Sequence, residues 1–269
     1  MPLTDLIRYF NTADSAGDSM LYPDGERAAA WHRGLRLGSL FQPIVDLRQE
    51  RIVGHRATLA ARREDGTPVA SEDAYALCDN AEAVVHFDRL CRTLHALNFL
   101  AQRRYAGGYL QLPIHPRHLL AVPNQHGLVY EAILKRCGLA PEDIVLDIDA
   151  SRLGGNPHLA TALGNYRRRG YRLALRGPDL GGIGALIGLQ PEVVSLAAPL
   201  EELLQAARVA GVAVELAGID IAQDCEQARA AGVQLGCGKL FGEAAADCRA
   251  THGEHRVAYN SSSPSGVPP

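Results

Sequence analysis

The stretch from Phe41 to Ala60 reads FQPIVDLRQERIVGHRATLA and predicts two short apolar strands around a polar turn at residues 46–51. The second strand carries His55 and Arg56 at the point where it should enter a core. A buried arginine is costly unless an acid pairs with it. The end of this strand therefore raises the question of what Arg56 faces.

Composition restricts the classes of function open to the chain. Its 269 residues are 47% hydrophobic and 21% charged, which is enough to bury a core in one large domain or two small ones. A formal charge of −3 gives no general positive field, so direct nucleic-acid binding is not expected. Six cysteines without a CxxC pair suggest neither a disulfide framework nor a structural zinc. The longest apolar run, residues 180–189, is too short to cross a bilayer, and the start lacks a signal-peptide pattern, so we expect a cytoplasmic protein.

Strand-like runs alternate with amphipathic helical patterns along most of the chain. This alternation predicts an α/β fold, and about eight strands in some 220 residues favour a (β/α)8 TIM-like barrel over a doubly wound open sheet. Predicted strands are 41–45, 52–58, 108–114, 144–149, 172–177, 193–198, 212–218 and 233–238. Predicted helices are Glu26–Leu37, Val84–Arg104, Gly127–Arg136, Pro157–Arg169, Leu200–Ala210 and Gln223–Ala231.

The two ends of the chain differ from this pattern. Residues 1–25 contain one helical turn, Leu3–Phe10, and we expect an arm that either is flexible or docks on a partner. Residues 26–245 would form the barrel. Residues 246–269, which end in a Ser- and Pro-rich run, are expected to be a disordered tail.

Four separated motifs resemble those of EAL domains, the barrel family that hydrolyses cyclic di-GMP. FQPIVDLRQERIVG resembles the opening segment and APEDIVLDIDAS the LEITES strand, while ELAGIDIAQ resembles the AEGVET strand and LGCGKLFGEA the closing QGYLFG. The resemblance covers about Glu26 to Ala244. It implies a barrel whose functional side chains sit at the C-terminal ends of the strands.

The same resemblance indicates that the catalytic positions have changed. Active members are understood to hold two divalent cations with carboxylates and an asparagine, and to use a lysine near the attacking water. The matched positions here are Arg56 for the glutamate of the EAL triplet, Gln111, Asp147, Arg176 with Gly177, Ser195, Ala217 and Cys237. One carboxylate and two arginines would not hold such cations, so no metal, no cofactor and no catalytic residue is expected. The alignment of Asp179 is left open.

Two readings of the arginines remain. Arg56 and Arg176 either pair with Asp147 and fill the space of the lost metals, or bind an anionic ligand through their guanidinium groups. Gln42 and Asp88 match positions that lie near the nucleotide in the family, and Phe241 preserves the closing LFG. These six residues are the candidate ligand-binding set of a vestigial pocket, although Gln42 and Asp88 could equally serve the fold as cap and turn residues.

The predicted function is that of a catalytically inactive EAL-like regulatory protein that binds an unidentified protein partner. Degenerate relatives act in this way. The alternative is a metal-free receptor for cyclic di-GMP, and residual phosphodiesterase activity is a third, less favoured option. The chain could also form a homodimer, because active relatives commonly dimerise.

His115 and His118 are expected at the surface, since no third zinc ligand accompanies them.

Overall fold

The computed structural model describes residues 2–13, 19–102, 106–122, 128–149, 151, 157–177 and 189–249. The strands are β1 Ser19–Asp24, β2 Arg27–His32, β3 Leu35–Asp46, β4 Arg51–Arg63, β5 Pro68–Val69, β6 Tyr109–Ile114, β7 Ile144–Asp149, β8 Arg172–Arg176, β9 Val193–Leu196, β10 Ala213–Ala217 and β11 Leu235–Cys237. The helices are α1 Leu3–Ala13, α2 Ser71–Ala76, α3 Ala81–Ala101, α4 Pro116–Ala121, α5 Leu128–Cys137, α6 Pro157–Arg168, α7 Glu201–Ala210 and α8 Ala222–Ala230, with a 3-10 turn at Pro141–Asp143.

Eight of the strands close into a barrel in the order β3, β4, β6, β7, β8, β9, β10 and β11. Pairing of β3 with both β4 and β11 completes the ring, which confirms the predicted barrel and excludes the open sheet. Seven strands run parallel, but β3 is antiparallel to both neighbours. The cause is the short turn after β3, where the Asp46 carboxylate accepts the N–H groups of Arg48 and Gln49, because so short a connection joins only antiparallel strands.

The helix predicted over Glu26–Leu37 is wrong. These residues form β2 and the start of β3, joined by a turn at Arg33 and Gly34 with φ of 46° and 77°. Positive φ at both central residues is the geometry of a two-residue hairpin turn that matches strand twist. The alanines of RAAAWH favour a helix locally, but pairing with β1 and β3 outweighs that preference.

Strands β1, β2 and β5 extend the β3–β4 hairpin into an antiparallel wing outside the barrel. Helices α1 and α3 cover the wing, and Leu6, Ile7 and Phe10 of α1 are buried in its core. The Asn11 side chain also bonds both the N–H and the C=O of Leu21. The described part of the predicted arm, residues 2–13 and 19–25, is thus packed onto the fold rather than separate from it.

Described residues beyond the predicted barrel boundary also belong to the fold. Ala245 exchanges two backbone hydrogen bonds with Phe41, Cys248 is buried, and the side chain of Gln102 bonds the backbone of Ala246 and Cys248. Residues 246–249, predicted to begin a disordered tail, are therefore anchored. The rest of that predicted tail, residues 250–269, lies outside the described residues, as does Asp179.

Alternate residues of each barrel strand point inward, so the candidate functional side chains on these strands lie inside the barrel. Outward residues pack under the helices in two large apolar clusters. The inward floor of the barrel is apolar, formed by Val145, Ala174 and Val193 with Tyr109 against them. Polar and charged residues lie above this floor, toward the C-terminal ends of the parallel strands.

None of the helices in the described part of the chain has the length and apolar composition needed to span a membrane.

Candidate functional site

The barrel brings Arg56, Asp147, Arg176 and Ser195 together, as the sequence predicts, and adds one acid that it did not. Arg56 forms an ion pair through its terminal nitrogen with Glu215 of β10. The same nitrogen donates to Ser195 Oγ at 3.2 Å, and Ser195 Oγ donates to Glu215 Oε1 at 2.8 Å. Arg56 is thus held by a buried acid and a hydroxyl on two neighbouring strands.

Asp147 has a different partner. Its Oδ1 accepts from Arg176 Nε at 2.6 Å, whereas Arg56 Nε lies 3.9 Å from its Oδ2. The Asp147 side chain is 2% exposed, and that of Arg176 is 40% exposed. The expected pairing with Asp147 holds for Arg176, but the closer partner of Arg56 is Glu215. The two arginines therefore have two acids, with Glu215 the closer partner of Arg56 and Asp147 the closer partner of Arg176.

Glu215 is the functional-site residue that sequence reasoning missed. The resemblance matches the later glutamate of the family to Ala217, at the end of β10. Glu215 lies two residues earlier, and side chains two apart in a strand share a face. A charged residue at an inward position of VELAG was the signal that could have revealed it.

Burial and the neighbouring charges shift the pKa values of Arg56 and Glu215 in opposite directions. Burial alone would lower the pKa of Arg56, but attraction by Glu215, Cys237 and Asp147 raises it above the usual arginine value. Burial raises the pKa of Glu215, while Arg56 and the Ser195 hydroxyl act to lower it. Burial also raises the pKa of the Cys237 thiol to about 12, so the thiol stays protonated. Arg56 remains charged at every pH at which the protein is folded.

Gln42 and Phe241 stabilise the rim of the barrel through hydrogen bonds and packing. Gln42 Nε2 donates to the carbonyl of Gly242 at 3.1 Å, and its Oε1 accepts from the Cys237 thiol at 3.3 Å. Phe241 is fully buried in the core beneath α7 and α8. Both residues connect the closing segment to β3 and β11.

Asp88 lies in α3, is fully buried and is surrounded by donors. It accepts from Tyr75 Oη at 2.9 Å, Arg92 Nε at 2.8 Å and the backbone N–H of His115 at 2.9 Å. His118 Nδ1 lies 3.3 Å away, and His118 is 3% exposed, so the expectation of a surface His118 is wrong. Asp88 therefore ties α2, α3 and α4 together.

A cavity of about 340 Å³ opens beside the arginines. Arg56, Arg176, Asp147 and Asp149 line its mouth at the barrel end. Its other part is a side cleft between β4, α2, α3 and the segment after β6, lined by Leu59, Glu72, Tyr75, Cys91, His95, Ile114 and His115. This volume is in the range of small-ligand sites.

The described donor set does not fit a two-cation centre. Such a centre needs several carboxylate oxygens, yet Arg56 stands at the first matched position and Arg176 occupies an oxygen of Asp147. Gln111 is fully buried, and neither of its amide atoms has a hydrogen-bond partner among the described residues. Within those residues, no group of three or more His, Cys, Asp or Glu side chains is arranged to hold a metal ion.

Comparison with known proteins agrees with the barrel. The family model described as EAL domain matches residues 28–198. An EAL enzyme bound to cAMP and cyclic-di-GMP aligns with a TM-score of 0.65 at 16% identity, over 90% of this chain and 66% of that chain. A standalone EAL protein from Vibrio cholerae, in its c-di-GMP bound form, aligns with a TM-score of 0.61 at 18% identity, over 78% of this chain and 92% of that one.

A third solved structure is Klebsiella pneumoniae BlrP1 in its manganese and cyclic di-GMP complex, with a TM-score of 0.66 at 16% identity, over 88% of this chain and 65% of that chain. No curated protein sequence matches the chain. The molecule is thus a barrel of the class in which seven parallel strands and one antiparallel strand close around a site at their ends. The chain belongs to the EAL domain family.

Proposed function

We propose that this chain is a catalytically inactive EAL domain that regulates cyclic di-GMP-related signalling in the cytoplasm by binding another protein. The observation that carries the proposal is a set of two ion pairs, Arg56 with Glu215 and Arg176 with Asp147. Arg56, Arg176 and Asp147 stand at positions that the resemblance matches to the family's metal-binding residues. Two permanent positive charges, Arg56 and Arg176, thus stand at positions that the resemblance matches to metal ligands.

The chemistry of hydrolysis supports this conclusion. A bound divalent cation generates the attacking hydroxide by lowering the pKa of its water. Arg56 cannot lose its proton, and Ser195 stands at the position matched to the lysine. Asp147 and Glu215 are engaged with arginines, so they are poor ligands for an incoming cation.

A second candidate is a metal-free receptor for cyclic di-GMP. The 40% exposure of the Arg176 side chain favours it, because a partly exposed guanidinium beside a cavity can meet a phosphate. The positions of the two residues matched to nucleotide contacts, Asp88 and Gln42, argue against a receptor. Asp88 is fully buried and does not line the cavity, and Gln42 is bonded to Gly242 and Cys237.

Titration calorimetry with cyclic di-GMP, first in chelator and then in manganese, separates these functions. We expect no heat in either buffer and no linear dinucleotide in a parallel product assay, with an active EAL enzyme as the positive control. Micromolar binding in chelator that is lost in Arg176→Ala would establish the receptor instead. Turnover in manganese would refute both.

A further inference from the structure

A second cavity, of about 250 Å³, lies in the wing and not at the barrel mouth. Its walls are helix α1, strand β1, helix α3 and helix α5, and none of the described residues that line it also lines the cavity beside Arg56. Most of the lining is apolar and consists of Tyr9, Phe10, Leu21, Leu90, Ala132 and Ile133. A mainly apolar cavity with a few polar groups is the usual form of a small-ligand site.

Hydrogen bonds and packing hold the walls of this wing cavity in place. Asn11 of α1 donates from Nδ2 to the carbonyl of Leu21 at 2.7 Å and accepts from the Leu21 N–H at 2.9 Å. At the start of β1, Ser19 Oγ lies 2.7 Å from His32 Nδ1. Phe10 of α1 is buried in the core of the wing. A ligand would therefore meet a site that is already formed, which lowers the cost of binding.

Arg89 of α3 gives the wing cavity a permanent positive charge. No Asp or Glu is present among the described residues that line the cavity. Asp88, the neighbour of Arg89 in the chain, is held by Arg92. Glu131 of α5 is held by Arg169 at 2.8 Å. Arg89 is half-buried, and a cation partly removed from water gains from an anion that reaches it.

Thr93 places a hydroxyl beside that charge. It follows Arg89 by about one turn of α3, so the two side chains lie on one face of the helix, and both line the cavity. A guanidinium binds a carboxylate through two parallel N–H groups, and a hydroxyl can donate to the same anion. One guanidinium balances one negative charge, so a monocarboxylate matches the site better than a phosphate monoester, which carries about two charges. The apolar lining suits a short hydrocarbon chain.

We propose that the wing cavity binds a carboxylate that carries a short apolar chain. The carboxylate would bind Arg89 and Thr93, and the chain would lie against Leu21, Leu90 and Ile133. This site goes beyond the proposed function, because it is separate from the barrel mouth and takes a small molecule, not a protein.

Titration of the full chain with octanoate, followed by NMR of its leucine and isoleucine methyl groups, tests the proposal. 1-Octanol has the same chain without the charge, octylammonium reverses the charge, and acetate lacks the chain. We expect octanoate to bind about tenfold more tightly than octanol, because a hydrogen bond to a charged group is stronger than one to a neutral group. Octylammonium and acetate should bind more weakly than octanol. The methyl groups of Leu21, Leu90 and Ile133 should shift in a saturable manner.

Two variants locate the effect. Arg89→Gln should weaken octanoate binding about tenfold and leave octanol binding unchanged. Arg208→Gln is the matched control, because Arg208 also lies on a helix, donates to the neutral side chain of Gln205 and does not line the cavity. It should leave the binding of every ligand unchanged. Thermal unfolding checks that both variants fold, and the comparison of octanoate with octanol in the unaltered protein decides the proposal if Arg89→Gln does not.

Equal binding of octanoate and octanol, an equal loss in the Arg208→Gln control, methyl shifts confined to the barrel mouth, or no saturable binding would overturn the inference. The dinucleotide titration tests the proposed function separately. Turnover of the dinucleotide would refute the proposed function without bearing on the wing cavity, whereas a failure of octanoate to bind would refute only the inference.

Discussion

Arg56 and Glu215 lie 159 positions apart in the chain and meet as a buried ion pair inside the barrel. The Glu215 side chain is fully buried and that of Arg56 is 16% exposed. Arg56 stands at the position that the resemblance matches to the glutamate of the EAL triplet, and an acid three strands away around the barrel pairs with it. This pair explains how β4, which continues to Arg63, can carry a largely buried arginine at position 56.

Removal of one member should be much more damaging than removal of both. We expect Glu215→Gln to lower the free energy of unfolding by about 3–5 kcal/mol, because it leaves Arg56 buried without its acid. The double variant Arg56→Met, Glu215→Leu should recover most of that loss. Urea unfolding measures both variants. A loss below about 1 kcal/mol for Glu215→Gln would show that the pair is not buried as described.

Stability should fall between about pH 6.5 and pH 4 as buried histidines resist protonation. Burial lowers the pKa of both His95 and His55 to about 4, so over this window the unfolded chain binds more protons than the folded one. Stability then rises with pH by about 1.4 kcal/mol per unit for each histidine. His95→Asn should remove about that amount from the slope, measured by urea unfolding at several pH values. An unchanged slope in His95→Asn would contradict the assignment.

Asp88 should behave as a structural residue. Asp88→Asn leaves Arg92 buried without its carboxylate and should lower the free energy of unfolding by about 3–5 kcal/mol. Tyr75→Phe removes only one hydrogen bond to Asp88 and should cost about 1 kcal/mol. Chemical denaturation compares the two. A stable Asp88→Asn protein would instead favour the ligand-contact role suggested by the resemblance.

The hairpin that replaced the predicted helix is open to a paired glycine test. Gly34→Ala meets no atom within 4 Å but must keep a φ of 77°, so it should cost about 1–2 kcal/mol. Gly164→Ala, in the middle of α6, is also free of contacts and should gain about 0.5–1 kcal/mol. Thermal unfolding provides the comparison. If residues 26–37 were helical, Gly34→Ala would stabilise the protein as well.

Several elements could be predicted from the sequence because their signals are local. Apolar runs of strand length predicted all eight barrel strands, and the helical patterns predicted over 84–104 and 200–210 overlap α3, Ala81–Ala101, and α7, Glu201–Ala210. The failures have physical causes as well. RAAAWH favours a helix by composition, and only its pairing with β1 and β3 makes it a strand. The antiparallel direction of β3 depended on a four-residue turn.

The features of the candidate site also fall into those that the sequence predicts and those that only the structure reveals. The sequence by itself determined the order of strands along the chain and the presence of Arg56 and Arg176 at positions that the resemblance matches to metal-binding residues, because each follows from residue type at a motif position. Only the tertiary structure decided that Arg56 pairs with Glu215 and Arg176 with Asp147. Ion pairing depends on which side chains the barrel register turns inward to face each other, and that arrangement joins residues far apart in the chain.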